Sequence, residues 1–409
     1  GGRVGYNVAA TANVYYLREA EFTNILYARQ DRALTNELAT KAEAALQEDF
    51  RLLDVFNKET ADGKWKDFML QPHIGYGDVK RYGPNAGWQQ PEMNHVALPD
   101  EIFPAVRRIE LPDTAELGVA VPGSEEWWPE AEGTPVLPEF SPFRTGDDVY
   151  VDLFNRGSRS FEYRVTSSAP WLRVDRTRGT VGKQVRLTVS VDWDRAPSGR
   201  GEAELTVEGA GRTVTVKAVA DRVSARGLKG FVEAGGYIAV DAHHYSRAVG
   251  ANGIDWLRID RIGRTPAGME PVPVTAPAQT PGSGAPYLEY DITLLTPGEV
   301  TVWAYVSPRN PALSRPGLRY AVSFDDQAPQ TVDFIAATGP DDGGLNKRWA
   351  RHTSDNVNRT SSVHTVAKAG VHKLRFWMDD PTVVLQRLIV DTGGLPETYL
   401  GPEESHRVR

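Results

Sequence analysis

The chain has 409 residues, 46 basic and 54 acidic side chains and a formal net charge of −8, about three domains' worth at ordinary domain sizes. Its charges are well mixed, which leaves no basic patch for a phosphate backbone and excludes nucleic acid as an expected partner. Cysteine is absent, which excludes disulfides, thiolate metal centres and a cysteine nucleophile; no apolar run approaches the ~20 residues of a membrane-spanning helix, and no membrane partner is expected.

Gly1-Gly2-Arg3 carries neither an initiator methionine nor a secretory signal pattern and reads as a start inside a longer protein. From Tyr6 to Gln30, apolar residues recur at helical spacing (Val8, Ala12, Tyr15, Phe22, Leu26), and Leu34, Leu38, Ala42, Ala45, Phe50, Leu53 and Phe56 continue the pattern into a second helix. Asp31 is placed to cap that helix, and Gly63 lies beyond its end. Two such helices cannot bury both apolar stripes against each other, so residues 1–62 are read as the last helices of a bundle.

Residues 63–104 form a connector and binding loop. Gly63-Lys64-Trp65, Gln71-Pro72-His73-Ile74-Gly75-Tyr76 and Trp88-Gln89-Gln90-Pro91 set aromatics, amides and a histidine between glycines and prolines, a composition suited to a sugar or a partner surface. The bland alternative is an ordered connector whose aromatics fill a seam. His73, Tyr76, Trp88 and Gln89 are the candidate contact residues, with Trp88 stacking on a sugar or on an interface side chain.

Short alternating runs follow at Ala105–Leu111, Leu117–Val121, Val149–Phe154, Phe161–Ser167, Gln184–Asp192, Ala203–Val207 and Thr213–Ala218, predicting an immunoglobulin-like β-sandwich over 105–220. Trp171, after a proline turn, is expected in its core. Trp127-Trp128-Pro129 sits in a long acidic, proline-rich insertion, a setting that is usually functional or disordered. The polar stretch 221–229 reads as a linker. Residues 230–409 form a second sandwich, a jelly roll, with strands at Tyr237–Tyr245, Tyr287–Leu294, Glu299–Val306, Leu318–Phe324, Gln330–Phe334, Val363–Val366, Val371–Trp377 and Val383–Asp391 and a proline-rich loop at Pro271–Pro286. The fold class is mainly β: a short N-terminal helical remnant, an immunoglobulin-like sandwich and a C-terminal jelly roll.

Acid pairs are plentiful at Asp147-Asp148, Asp325-Asp326 and Asp379-Asp380, but neighbours on a strand diverge and acids in turns are solvated or capping, so none is singled out as catalytic. Serine-elbow, zinc-helix and phosphate-loop motifs are missing. His243-His244 looks like a metal pair, but neighbours on the predicted strand diverge, so at most one of the rings can join a metal site, and a buried, hydrogen-bonded histidine is the plainer reading. Asn358-Arg359-Thr360 matches a glycosylation acceptor, a pattern common by chance.

Gly63-Lys64-Trp65, His73-Ile74-Gly75-Tyr76, Trp88-Gln89-Gln90-Pro91, Ser168-Ala169-Pro170-Trp171, Arg375-Phe376-Trp377-Met378, Val390-Asp391-Thr392-Gly393-Gly394-Leu395 and Tyr399-Leu400-Gly401-Pro402-Glu403-Glu404-Ser405, in this order and spacing, resemble the C-terminal portion of glycoside hydrolase family 115. A departure is that Gly77 to Gly87 intervenes between Tyr76 and the Trp-Gln-Gln-Pro element. The resemblance implies a xylan α-glucuronidase that removes glucuronic or methylglucuronic acid from xylan with inversion, using a barrel N-terminal to a helical bundle and β domains. It therefore implies no catalytic residue in this chain. The expected partners are xylan or glucuronoxylan through the parent enzyme, the N-terminal catalytic domain and a second copy in a homodimer, in an extracellular or periplasmic setting. No cofactor is expected. Jelly rolls of carbohydrate-binding modules often hold a structural calcium, which makes Asp241 and Asp391 a candidate pair, although calcium takes six to eight oxygens. The alternatives are a stand-alone carbohydrate-binding or adhesion module and a structural spacer.

Overall fold

The helical spacing of the first 60 residues produces α1 (Gly2–Arg29) and α2 (Thr35–Asp54), the latter ending in a π-helical turn at Val55–Glu59. In this computed structural model the residues described are 2–66, 68, 106–146, 149–311, 313, 316–337, 352, 353 and 355–408. They divide into one unit of residues 1–138, 148–196 and 202–219 and another of 139–147, 197–201 and 220–409.

In the first unit, Leu17 packs with Ala45 and Leu46, and Tyr6 and Ala10 pack with Phe56. Val8, Tyr15 and Phe22, spaced by seven residues on α1, stay exposed. Asp31 does not cap α2. The cap position is Leu34, without a side-chain hydrogen bond, while Asp31 takes a left-handed φ of 51° in the turn and pairs with Arg156 at 2.8 Å. Asparagine tolerates and aspartate accepts such a turn conformation because a short polar side chain bonds locally or to a neighbour.

The sandwich consists of β1 (Leu117–Ala120), β2 (Tyr150–Asn155), β3 (Phe161–Ser167), β4 (Leu172–Val174), β5 (Arg178–Val181), β6 (Gln184–Val191), β7 (Gly199–Gly209) and β8 (Arg212–Arg222). These form two four-stranded sheets in the orders β1-β2-β6-β4 and β5-β3-β7-β8. Along β3, alternate residues Phe161, Tyr163 and Val165 are buried, the period-2 signature of a half-covered sheet. Most of β2 is buried on both faces, because its Asp152 and Phe154 meet Arg32.

The expected strand at 105–111 is overturned for its described residues, 106–111, which form no strand. Asn24 Nδ2 donates to the Arg107 carbonyl at 2.9 Å and Asn24 Oδ1 accepts from the Arg107 amide at 2.7 Å. Asn36 does the same for Ile109, at 2.9 Å in both directions. Helix side chains thus satisfy the backbone groups that a neighbouring strand would otherwise take. Trp171 is in the core, as expected. Trp127 and Trp128 are neither loop ligands nor disordered: both are buried, Trp128 exchanges backbone hydrogen bonds with Val119, and Arg156 lies 4.0 Å over the Trp127 ring.

The second unit contains β9 (Gly230–Val232), β10 (Tyr237–Asp241), β11 (Arg247–Val249), β12 (Asp255–Asp260), β13 (Ala267–Val272), β14 (Tyr287–Leu294), β15 (Gly298–Val306), β16 (Arg319–Phe324), β17 (Gln330–Asp333), the short α3 (Phe334–Ala337), β18 (Asn358–Val366), β19 (Gly370–Met378), β20 (Leu385–Asp391) and β21 (Arg407–Val408). A six-stranded sheet runs β12-β13-β20-β15-β18, with β10 on β20; a seven-stranded sheet runs β17-β16-β19-β14-β9-β21, with β11 on β14. Val302, Tyr290, Tyr320, Phe324, Phe376 and Leu388 share one buried cluster. The strand expected to run from Tyr237 to Tyr245 stops at Asp241, and Ala242–His244 is a 3₁₀ turn.

On β18 the buried side is the polar one. Asn358, Thr360, Ser362 and His364 point inward, whereas Val363 is 50% exposed. The inward groups find partners: the Thr360 hydroxyl pairs with the Tyr320 hydroxyl at 2.8 Å, and His364 Nε2 with the Ser362 hydroxyl at 2.7 Å. Asn358 is buried, so it is closed to glycan attachment in the folded chain.

Burial pushes the His364 pKa down from 6.5 to about 4. The folded state therefore binds this proton less well than the unfolded chain; its contribution is intact above about pH 6.5 and is lost progressively as pH falls towards 4. At pH 5 the loss should reach about 2 kcal/mol. Denaturation of the wild type and of His364→Gln across pH 8 to 5 checks this: the difference between them should shrink by about that amount, and a pH-independent difference would show that His364 does not titrate in this way.

Candidate functional site

A charged ladder crosses the seven-stranded sheet and ends in a groove. The antiparallel register of β14 and β19 sets Tyr287 opposite Trp377, Glu289 opposite Arg375 and Asp291 opposite Lys373. Opposite charges facing one another across a ladder stabilise the pairing. Arg375 Nε donates to Glu289 at 2.8 Å, Lys373 binds both Asp291 and Glu289, and Lys229 Nζ reaches Asp291 Oδ2 at 3.1 Å. Burial works against the charge on Asp291, but hydrogen bonds from Lys373 and Lys229 prevail and hold its pKa below the usual carboxylate value. Hydrogen bonding to Asp291 likewise raises the Lys373 pKa.

The groove has a volume of about 520 Å³ and is lined by Lys229, Gly230, Asp291, Arg407 and Val408. Its lining arises from one parallel and one antiparallel pairing: β9 runs parallel to β14, and β21 adds to β9. Gly230 has a φ of +71°, and a β-carbon there would run into the Asp291 carbonyl, so only glycine lets the strand approach this closely. Lys229 and Arg407 are both exposed at the groove. Two cations line it against one carboxylate, which Lys373 already shares. Such a lining favours an oxygen-rich ligand that carries a negative charge.

His73, Tyr76, Trp88 and Gln89 lie outside the described residues. The structure does not bring the candidate calcium pair together. Asp241 pairs with Arg387 and Asp391 with Tyr237 across the β10–β20 ladder, so the two acids stand four residues apart, about 13 Å along a strand. Asp241 is engaged by Arg387, and Asp391 Oδ1 accepts from the Gly393 and Leu395 amides at 2.8 and 3.3 Å. The ladder separates them too far for one ion to bind both.

The described acid pairs serve the structure. Asp380 accepts from the Arg319 amide at 2.8 Å, and Asp325 accepts from the Lys373 amide and from His372 Nδ1, both at 2.8 Å. Lys229 and Arg407 carried no signal in the sequence, since one sits in the polar stretch before β9 and the other near the chain end, and only strand pairing unites them.

The segment Tyr399–Ser405 is a clasp. Ser405 Oγ accepts from the Ala239 amide while its own amide bonds the Ala239 carbonyl, both at 2.9 Å. The Pro402 carbonyl accepts from Arg387, and Glu404 accepts from the Asp241 amide at 2.9 Å. Gly401, at a φ of +80°, leaves room for Tyr305, whose ring would lie 2.9 Å from a β-carbon.

Among the described residues, no helix is long and apolar enough to cross a membrane. Residues 230–404 match the glycosyl hydrolase family 115 C-terminal domain, and residues 140–220 match the viral BACON domain. No curated protein matches the chain. Among solved structures, the chain is similar to a family GH115 4-O-methyl-α-glucuronidase with specificity for decorated arabinogalactans, at 17% identity and a TM-score of 0.28, over 37% of this chain and 17% of that one. It is also similar to the C-terminal CBM6 of a marine laminarinase from Zobellia galactanivorans (11% identity, TM-score 0.26, covering 38% of this chain and 98% of the module). A family 35 carbohydrate-binding module from Clostridium thermocellum gives 9% identity and a TM-score of 0.24, over 38% of this chain and 96% of the module. These structural likenesses are too distant to bear on function.

Proposed function

We propose, because residues 230–404 match the glycosyl hydrolase family 115 C-terminal domain, that the chain is the non-catalytic C-terminal region of an extracellular or periplasmic xylan α-1,2-glucuronidase. In this reading it stabilises the enzyme, contributes to a dimer and contacts glucuronoxylan, while the N-terminal catalytic domain removes the (4-O-methyl)glucuronic acid. The family match carries the proposal. Two features support it: the exposed stripe of Val8, Tyr15 and Phe22 on α1 suits burial by a preceding domain, and the cationic groove at Lys229 and Arg407 suits the carboxylate of a uronic acid branch.

Binding of the purified chain to glucuronoxylan and to the same xylan stripped of its uronic acids tests the contact. The decorated polymer should bind more tightly, and Arg407→Ala should weaken it about tenfold, the loss of one charge-assisted hydrogen bond. Equal binding of both polymers, or an unaffected Arg407→Ala variant, would remove the groove from the substrate path. Release of glucuronic acid by this chain alone would overturn the non-catalytic reading. Binding through the groove by a full-length protein that has no glucuronidase activity would favour the stand-alone binding module.

A further inference from the structure

The 3₁₀ turn at Ala242–His244 changes what the two histidines can do. Were they on a strand their rings would diverge; on the turn their centroids lie 3.9 Å apart, inclined by 44°. Asp241, at the end of β10, His243 and His244 each offer a ligand atom within 4.8 Å of those of the other two. We propose that these three residues bind a divalent transition-metal ion of the zinc class, leaving at least one coordination position open.

The state of each ligand supports this. His243 Nδ1 is buried without a hydrogen-bond partner, and the Ala267 carbonyl lies near the ring. With its proton placed on the other nitrogen, Nδ1 presents a lone pair, and an unsatisfied buried acceptor is otherwise costly. His244 Nδ1 contacts both Glu404 oxygens, at 2.8 and 2.7 Å. A carboxylate on one imidazole nitrogen fixes the tautomer and raises the basicity of the other, the usual outer support of a metal-bound histidine. Asp241 meets Arg387 through Oδ1 at 2.7 Å from both Nε and a terminal nitrogen, so Oδ2 is not used in that pair.

Asp241 and Glu404 set two carboxylates against Arg387, and Arg258, the cation near His243, is itself paired with Asp260 at 2.7 Å. Two imidazoles and one carboxylate select zinc-like ions over calcium, which prefers six to eight oxygens.

The test uses the tag-free chain, stripped with chelator and titrated with zinc by calorimetry and with cobalt(II) by visible absorption. One ion should bind per chain, cobalt should give the intense visible bands of low coordination, and the melting temperature should rise with zinc but not with calcium. His243→Gln, which retains an amide able to reach Ala267, should fold with the metal-free melting temperature of the wild type and lose saturable one-to-one binding. Glu404→Gln should weaken zinc about tenfold. Absence of a one-to-one isotherm, or undiminished zinc affinity in a folded His243→Gln variant, would overturn the site.

Discussion

Arg387→Met should lower the stability of the second unit by about 4 kcal/mol, the cost of stranding one half of a buried ion pair. Arg387 holds Asp241 through two contacts at 2.7 Å, and both side chains are at least 90% buried. Its remaining terminal nitrogen donates to the Pro402 carbonyl, so the substitution also takes one fastening from the Tyr399–Ser405 clasp. Removing both charges is a different experiment, because an apolar pair of similar volume has no carboxylate to leave unpaired. Arg387→Met with Asp241→Leu should therefore recover most of the loss. Urea denaturation in chelator, followed for both variants, measures this; a single variant within about 1 kcal/mol of wild type would show that water reaches Asp241 and compensates it.

The second large effect is expected at Arg32→Met, at about 3 kcal/mol. Arg32 is only 3% exposed, and its guanidinium lies 4.0 Å from the Tyr27 ring and 4.2 Å from the Phe154 ring. In its plane it donates to Gln30 at 2.6 Å and to Gln184 at 3.0 Å, and it pairs with Asp152 at 3.4 Å. Burial pulls its pKa down although Tyr27 and Asp152 oppose the shift. Asp152 keeps Arg186, at 2.8 and 3.0 Å, which is why this loss should be smaller than that at Arg387. Arg32→Lys should rescue little, since an ammonium cannot donate in three directions in one plane and stack between two rings. Hydrogen exchange should show faster opening of α1 and α2 in either variant. Unchanged protection there, with lowered global stability, would show that Arg32 does not fasten the helices to the sandwich.

Local patterning by itself determined the helices, most strands of both sandwiches and the core position of Trp171, because hydrophobic periodicity and turn residues are properties of a single segment. Tyr287–Leu294 and Phe161–Ser167 emerge as strands with their expected bounds. The motif Tyr399–Ser405 was equally legible as a family mark, but only the structure explains it, as a clasp on Ala239 and Asp241, which lie far away in the chain. Tertiary packing alone decided the rest. The backbone at 106–111 looked like a strand, but it found its hydrogen bonds on Asn24 and Asn36. On β18 the partners across the core made the polar face the buried one. Lys229 and Arg407 share a groove because β9 pairs with both β14 and β21. His243 and His244 converge because β10 ends one residue before the turn that carries them. Alternation states that a segment has two faces, whereas what packs against each face, and where each backbone group finds its partner, depends on residues distant in sequence.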